Sequence, residues 1–161
     1  MSKVLFPSEE WVQALKSELN SSPAYADAAK NWEGDFYFIV DPEGYIREPV
    51  YMYMDLWHGQ CREAFVAKDK NEKNPAFVMS APFSKWKKVV TAKLDPIQGL
   101  MTGQLKLKGN MIMVMKNVRA AQEIIRACTR IDTEFVDALP ASSNTVPSAT
   151  SESIVPPSSP A

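Results

Sequence analysis

The sequence predicts an α+β fold, in which helices cover one face of a mainly antiparallel sheet of five strands. Two kinds of pattern support this class. Apolar residues recur at helical spacing in the first 35 residues and again after residue 82. Between these segments, aromatic and β-branched runs are separated by turn signatures, and a further strand pattern lies between two late helical segments.

Two helices are predicted at the start of the chain. The first covers about residues 8–20, because Ser8 is a suitable N-cap and apolar residues follow it at four-residue spacing. Ser22 can cap a second, shorter helix whose first turn contains Pro23. This second helix is expected to end near Gly34.

Four strands are predicted next, from runs rich in aromatic and β-branched residues. Turn signatures at residues 41–44 and at His58-Gly59 shorten the connections between them. Because three of the strands follow one another closely, antiparallel meander pairing is expected. The four strands cover residues 36–40, 50–57, 61–67 and 76–80.

The remaining elements follow the fourth strand. Apolar residues from Phe83 to Leu94 lie on one helical face. Residues 104–108 alternate strictly between polar and apolar side chains, which predicts a half-buried strand. Asn110 can cap a final helix, which is expected to continue without a break to about Ile131.

The last 24 residues differ in composition from the rest of the chain, because 18 of them are Ser, Pro, Ala or Thr and only Glu152 is charged. Such a segment buries too little apolar surface to offset its ordering entropy. We therefore expect a folded domain over residues 1–137 and a disordered tail over residues 138–161. A tail that binds a partner or is phosphorylated is the alternative to a plain solvated tail.

Charge and composition exclude several classes of protein. The 18 basic and 19 acidic residues give a net charge of −1, so no nucleic-acid partner is expected. The longest apolar runs are far shorter than the roughly 20 residues needed to span a bilayer. Two cysteines and one histidine cannot form a Cys/His metal site, and no cofactor is expected. The unrelated positions of the two thiols, and an N-terminus without the layout of a secretory signal, favour a cytoplasmic protein.

No catalytic constellation stands out, but His58 and Cys61 lie on either side of a predicted turn. If the turn brought the two side chains together, a thiolate pair could form. A turn histidine beside a half-buried cysteine is the simpler interpretation. The six glycines occupy turns and strand boundaries, so no phosphate-binding loop is predicted.

The chain carries more apolar surface than a sheet with one covered face needs. Residues 50–57 are apolar on both strand faces, and the chain has eight methionines, which suit a surface that adapts to variable shapes. The surplus fits an ordinary core, a second helical layer, a dimer interface or a ligand cavity. The pattern alone leaves these alternatives open.

Residues 95–111, with the sequence DPIQGLMTGQLKLKGNM, resemble the C-terminal signature of the sterol carrier protein family, the type-two or non-specific lipid-transfer kind. The shared features are an Asp-Pro turn, a short helix, a Met-Thr-Gly bend, an alternating Lys/apolar strand, a Gly-Asn-Met helix start and a later Met-Lys pair. Gly99 replaces an expected Ala, and Gln104 replaces a usual Lys, but neither changes the bend or the alternation. The order of predicted elements over residues 8–131 is also compatible with this family.

The resemblance implies a five-stranded sheet packed with helices around an apolar tunnel. It also implies non-catalytic binding and transfer of fatty acids, fatty acyl-CoA or sterol-like lipids in that tunnel. Matching positions give six candidates for the tunnel wall: Leu100, Met101, Leu105, Leu107, Met111 and Met115. The strand pattern adds four more: Met54, Phe65, Phe77 and Met79.

Four basic residues after residue 82 are candidates for contact with an anionic headgroup or a membrane surface: Lys85, Lys87, Lys88 and Lys93. A solvated helix face is the alternative for these lysines. Two other functions stay open beside the lipid carrier. One is an enzyme that acts on a lipid-like substrate through His58 or Cys61. The other is a non-enzymatic interaction module whose apolar surplus forms a homodimer interface.

Overall fold

The structure is a computed structural model that describes residues 3–138. The predicted tail, apart from its first residue, lies outside the described residues, and the domain boundary at residue 137 stays a prediction. In chain order, the elements are β1 (Val4–Phe6), α1 (Glu9–Asn20), α2 (Pro23–Ala28), β2 (Glu33–Asp41), β3 (Val50–Trp57), β4 (Gln60–Ala67), β5 (Phe77–Pro82), α3 (Phe83–Val90), α4 (Pro96–Met101), β6 (Lys106–Lys108), α5 (Met111–Met115), α6 (Val118–Thr129), β7 (Thr133–Phe135) and a 3-10 turn (Val136–Ala138).

Five strands form one sheet in the order β4-β3-β2-β5-β6, which confirms the predicted fold class. β2, β3 and β4 form the expected antiparallel meander. The chain then crosses to the other side of β2, where β5 pairs with it in parallel. β6 extends that edge in antiparallel orientation, so the sheet is mainly antiparallel with one parallel pair.

The connection between β3 and β4 is the tight turn that the sequence predicts at His58 and Gly59. Both residues have positive φ angles, 49° and 81° respectively. Two successive positive φ angles are typical of a type I′ hairpin turn, whose twist matches that of the strands. A Cβ atom on Gly59 would lie 2.6 Å from the carbonyl oxygen of Ala26, so the turn and α2 approach closely only because residue 59 is glycine.

Helices cover one face of the sheet, as predicted. Ser8 caps α1 and Ser22 caps α2, each through its side-chain oxygen. α1 crosses β4, where the Glu9 carboxylate accepts a hydrogen bond from the Val66 amide at 2.8 Å. α6 contacts α1, α2, α3 and α4, so it is the central helix of the layer.

A second, two-stranded sheet joins the two ends of the described chain, and the sequence analysis missed it. β1 and β7 pair in parallel, with Val4 opposite Thr133. The indole nitrogen of Trp11 in α1 donates to Thr133 Oγ1 at 2.9 Å. Strands of three residues carry too short a pattern to recognise, and their pairing depends on how the helices between them pack.

The sheet face that carries no helices has a small core of its own. Tyr37, Tyr53 and Ala67 are buried there, beneath the loop of residues 68–76. The Tyr37 hydroxyl accepts a hydrogen bond from the Lys73 amide at 2.8 Å, and the Lys73 ammonium lies 5.0 Å from the Tyr53 ring centroid. Part of the apolar surplus of the strands is therefore used on this face.

Two predicted helix boundaries are wrong. The final helix, expected to be continuous over residues 110–131, is split into α5 and α6. At the break, Asn117 has φ −120° and ψ 40°, and its side-chain amide donates to the Met113 carbonyl at 2.7 Å. Asparagine competes with the backbone for hydrogen bonds in this way and interrupts helices. The second helix ends at Ala28 rather than near Gly34, because the chain extends early to enter β2.

Candidate functional site

The sheet and the helical layer enclose a cavity of about 100 Å³. β2, β3 and β5 form its floor with six apolar side chains: Phe36, Phe38, Met52, Met54, Leu56 and Met79. All six helices contribute to its walls. α6 contributes five wall residues: Ala120, Ala121, Ile124, Ile125 and Cys128.

Three tryptophans line the cavity, and the indole N–H group of each donates a hydrogen bond to another residue of the protein. These indole nitrogens donate to protein oxygens between 2.7 and 2.9 Å away: Thr133 Oγ1 for Trp11, the Gly34 carbonyl for Trp32 and the Ile39 carbonyl for Trp86. A buried indole N–H needs such a partner. With the polar atoms occupied, the rings present apolar surface to a guest molecule.

Two other polar side chains reach the cavity wall, Tyr25 and Asn117. Tyr25 is 1% exposed, and its hydroxyl has no hydrogen-bond partner among residues 3–138. Burial, and to a smaller extent the nearby Cys61 thiol, raises the pKa of this phenol well above its ordinary value, so the hydroxyl remains a donor. The Asn117 side-chain amide donates to the Met113 carbonyl, which leaves the side-chain oxygen available to accept.

The rim of the cavity lies along α6. Ala121, Ile124 and Ile125 line the cavity but are only half-buried, as is Asn117 at the break before α6. The remaining wall residues of this helix, Ala120 and Cys128, are fully buried. The cavity therefore approaches the solvent along these half-buried residues.

Three of the ten wall candidates line this cavity. Leu100 does so from α4, and Met54 and Met79 do so from the sheet floor. Leu105 and Phe77 are buried in the adjoining core and do not form part of the wall. Ligand contact by any of these residues stays a prediction.

The other five candidates lie outside the wall. Phe65 belongs to the small core on the opposite face of the sheet, and Leu107 is half-buried on β6. Met101, Met111 and Met115 are exposed, Met101 to 70%. Contact of these residues with a ligand also stays a prediction.

The candidate lysines lie on or just after α3, whose buried side forms part of the cavity wall. Lys87 Nζ pairs with the Asp137 carboxylate at 3.0 Å. Among residues 3–138, Lys85, Lys88 and Lys93 have no carboxylate within ion-pair distance. These three positive charges are therefore available to an anionic group outside the cavity wall.

His58 and Cys61 do not form the pair that the enzyme alternative requires. His58 Nε2 lies 2.6 Å from a Glu33 carboxylate oxygen, whereas Cys61 Sγ donates to the Glu63 carbonyl at 3.4 Å. Burial raises the pKa of the Cys61 thiol to about 12. The nucleophilic thiolate is therefore strongly disfavoured near neutral pH.

The sequence analysis missed most of the helical wall as a binding site. The apolar stripes of α1, α3 and α6 were predicted from their spacing, but their residues were not predicted to line a ligand cavity. An apolar stripe has the same spacing whether it meets other side chains or borders an empty space. The missed residues include Trp11, Val12, Leu15, Trp86, Val89, Val90, Ile97 and Ile124.

No helix within residues 3–138 combines the length and the apolar composition needed to cross a membrane. The same part of the chain contains no group of three or more His, Cys, Asp or Glu side chains that could hold a metal ion.

Several solved structures have folds similar to that of this chain. A crystal structure of sterol carrier protein 2 is 35% identical, with a TM-score of 0.69, and the match covers 77% of this chain and 97% of that one. A conserved hypothetical protein from Thermus thermophilus is 33% identical, with a TM-score of 0.74 and coverage of 83% and 94%. Sterol carrier protein 2 from Yarrowia lipolytica in its apo form is 17% identical, with a TM-score of 0.52 over 73% and 88%, and shows a likeness of fold alone.

A search of curated proteins produced no match. The model of the SCP-2 sterol transfer family matches residues 12–122, which include β2 to β6 and α2 to α5 in full. The match covers more than half of the chain and contains the residues of the sheet floor. The chain belongs to the SCP-2 sterol transfer family.

Proposed function

We propose that this protein binds single lipid molecules in its apolar cavity and transfers them without chemical conversion. Its family is one of hydrophobic lipid binding and transfer. The observation that carries the proposal is the cavity itself, because its floor is entirely apolar and the tryptophan N–H groups in its wall are all occupied by the protein. The ligand classes that we propose are fatty acids, fatty acyl-CoA and sterol-like lipids.

Burial of hydrocarbon supplies enough free energy for such binding. Each buried CH₂ group contributes about 0.8 kcal/mol, so a long acyl chain needs no strong polar anchor. Sites for organic ligands usually measure roughly 300–1,000 Å³, whereas this cavity has about 100 Å³. A long-chain lipid therefore enlarges the cavity as it enters, and the half-buried residues of α6 are the part of the wall with least to displace.

The three free lysines on and just after α3 suit a ligand whose polar end stays outside the cavity. Lys85 and Lys88 belong to α3, whose buried side lines the cavity, and Lys93 follows three residues after the end of this helix. A carboxylate or a CoA phosphate held at the rim would lie near this charge. The two buried, unpaired cysteines are consistent with action in the reducing cytoplasm.

A cavity-filling substitution tests the proposal. Ala120 is buried on the cavity wall, and Ala120→Leu adds three carbon atoms to a space of about 100 Å³. We expect this variant to bind a fluorescent fatty acid roughly tenfold more weakly than the wild type, because each displaced CH₂ contributes about 0.8 kcal/mol. Fluorescence titration measures the affinity, and native mass spectrometry shows whether a lipid remains bound.

Gln122→Leu is the matched control, since Gln122 is exposed on the same helix and does not line the cavity. It should bind the fatty acid as the wild type does. Circular dichroism and thermal unfolding establish that both variants are folded, and Ala121→Leu at the rim replaces Ala120→Leu if the latter is not. Wild-type protein that binds no lipid, or a folded Ala120→Leu variant with unchanged affinity, would contradict the proposal.

A further inference from the structure

Exposed large apolar side chains are concentrated on α5. Within residues 3–138, six large apolar residues are exposed, and three of them belong to this helix of five residues. We call Met111, Ile112 and Met115 the α5 patch. They occupy positions i, i+1 and i+4, so they share one face of the helix, and Ile112 is 66% exposed. Exposed apolar side chains that are grouped on one face make that face a candidate contact surface.

The α5 patch lies in a stretch of sequence whose charged residues are all basic. Residues 96–122 contain four basic residues and no acidic residue. Arg119 pairs with Asp27, at 3.2 Å between Nη2 and Oδ2. The other three, Lys106, Lys108 and Lys116, have no carboxylate within ion-pair distance in the described part of the chain.

The same helix also borders the cavity. Val114, on the same helix as the patch, is buried and lines the cavity. Asn117, immediately after α5, is a half-buried cavity residue. One short helix therefore separates an exposed apolar face from the interior in which a lipid would be held.

We propose that the α5 patch and its three lysines dock the protein on an anionic lipid bilayer, so that a lipid can pass between the bilayer and the cavity beside α5. Apolar side chains inserted at the interface and lysines facing acidic headgroups are the two components of reversible interfacial binding. A stable protein interface uses roughly 20–30 residues on each side, far more than this patch offers. The transfer of a lipid at this surface rests on the proposed function, whereas binding of the protein to a bilayer can be measured independently of that function.

Vesicle binding tests the docking surface directly. The full chain is floated with vesicles of phosphatidylcholine alone or of phosphatidylcholine mixed with phosphatidylserine. Ile112→Ser with Met115→Ser should lower the partition onto the anionic vesicles roughly tenfold or more, because apolar area no longer leaves water. Replacing Lys106, Lys108 and Lys116 by Gln should cost about fivefold per lysine on anionic vesicles and remove the preference for them.

Two matched controls separate this surface from the rest of the molecule. Tyr45→Ser removes an exposed aromatic side chain from the β2–β3 connection, and it should leave vesicle binding unchanged. Replacing Lys85, Lys88 and Lys93 by Gln removes an equal charge from the α3 region, and vesicle binding should be retained. Loss of vesicle binding only in the α3 variant would overturn the proposal.

Native mass spectrometry and fatty-acid binding distinguish membrane docking from dimer formation and from the proposed function. If the α5 variants bind anionic vesicles as the wild type does, or if they instead convert a dimer to a monomer in native mass spectrometry, the patch is not a membrane-docking surface. Binding of a fluorescent fatty acid in vesicle-free solution should be the same in the Tyr45→Ser variant and in the variants of the α5 patch and of Lys106, Lys108 and Lys116 as in the wild type. A wild type that binds vesicles but no fatty acid leaves the docking surface supported and refutes the proposed function alone.

Discussion

Tyr25 lines the cavity and has a buried hydroxyl without a hydrogen-bond partner in the described part of the chain. Tyr25 is 1% exposed and lines the wall, and no residue in the range 3–138 accepts or donates a hydrogen bond at this hydroxyl. A buried polar group without a partner carries a desolvation cost of about 1–3 kcal/mol. An oxygen atom on a bound lipid that reached this hydroxyl would relieve the cost, so we expect Tyr25 to favour ligands with a polar group at the buried end.

Tyr25→Phe should therefore change selectivity and not folding. We expect about three- to tenfold weaker binding of a fatty acid or a sterol whose oxygen reaches Tyr25, which corresponds to one hydrogen bond. The free energy of unfolding should be unchanged or slightly higher. Tyr37→Phe is the control, because the Tyr37 hydroxyl accepts from the Lys73 amide on the opposite face of the sheet. That variant should lose about 1 kcal/mol of stability and bind lipids normally, and the reverse pattern of results would refute this role for Tyr25.

Gly99 shows what a sequence can and cannot reveal about one residue. The departure from an expected Ala is visible within the Asp-Pro to Gly-Asn-Met segment. The reason for glycine at this position is not visible in the sequence, because it depends on a contact across the Met-Thr-Gly bend. A Cβ atom on Gly99 would lie 2.9 Å from Leu105 Cγ, and the Leu105 amide donates to the Gly99 carbonyl at 3.0 Å. The fully buried position of Leu105 therefore depends on glycine at residue 99.

Helix caps, tight turns and strand positions were predictable from the sequence, because interactions between neighbouring residues determine them. The cap at Ser8, the turn at His58 and Gly59, and the strand over residues 50–57 all lie where the sequence places them. The pairing of β1 with β7 and the parallel contact of β5 with β2 join distant parts of the chain, so no local pattern contains them. The break at Asn117 has a local cause, but asparagine within an apolar helical pattern does not always interrupt the helix.

The short helix α5 should depend on its N-cap. The Asn110 side-chain oxygen accepts a hydrogen bond from the Met113 amide at 3.2 Å, and α5 has only five residues with which to compensate for its loss. Asn110→Ala should lower the free energy of unfolding by about 1 kcal/mol and accelerate hydrogen exchange over residues 111–115. Asn110→Asp keeps an acceptor at the cap and should behave as the wild type. Equal exchange rates in the two variants would contradict this account of α5.

For the whole molecule, the main question is how a cavity of about 100 Å³ accepts a lipid. The floor is part of a five-stranded sheet whose other face is packed by its own small core, so the floor has little freedom to move as a unit. The helical layer is held through α6, which borders the cavity with half-buried residues. We therefore expect enlargement to combine outward movement of the half-buried α6 side chains with rearrangement of flexible side chains in the floor. The resemblance to lipid carriers predicted a cavity, and the strand pattern added the floor residues Met54 and Met79. The size of the cavity was not predictable, because it depends on how the two layers pack.

The floor methionines should set the range of ligand shapes that the molecule accepts. Met52, Met54 and Met79 are buried on the cavity floor, and the unbranched methionine side chain adapts to irregular shapes more readily than leucine does. Replacing all three by Leu conserves volume and should cost less than about 1.5 kcal/mol of stability per site. The variant should keep its affinity for a slim fatty acid but bind a rigid sterol several-fold more weakly, as measured by displacement of a fluorescent fatty acid. Met111→Leu with Met115→Leu changes two methionines outside the cavity and should leave both affinities unchanged. If the triple variant binds both ligands like the wild type, the adaptability of the site resides in movement of α6 and not in its methionines.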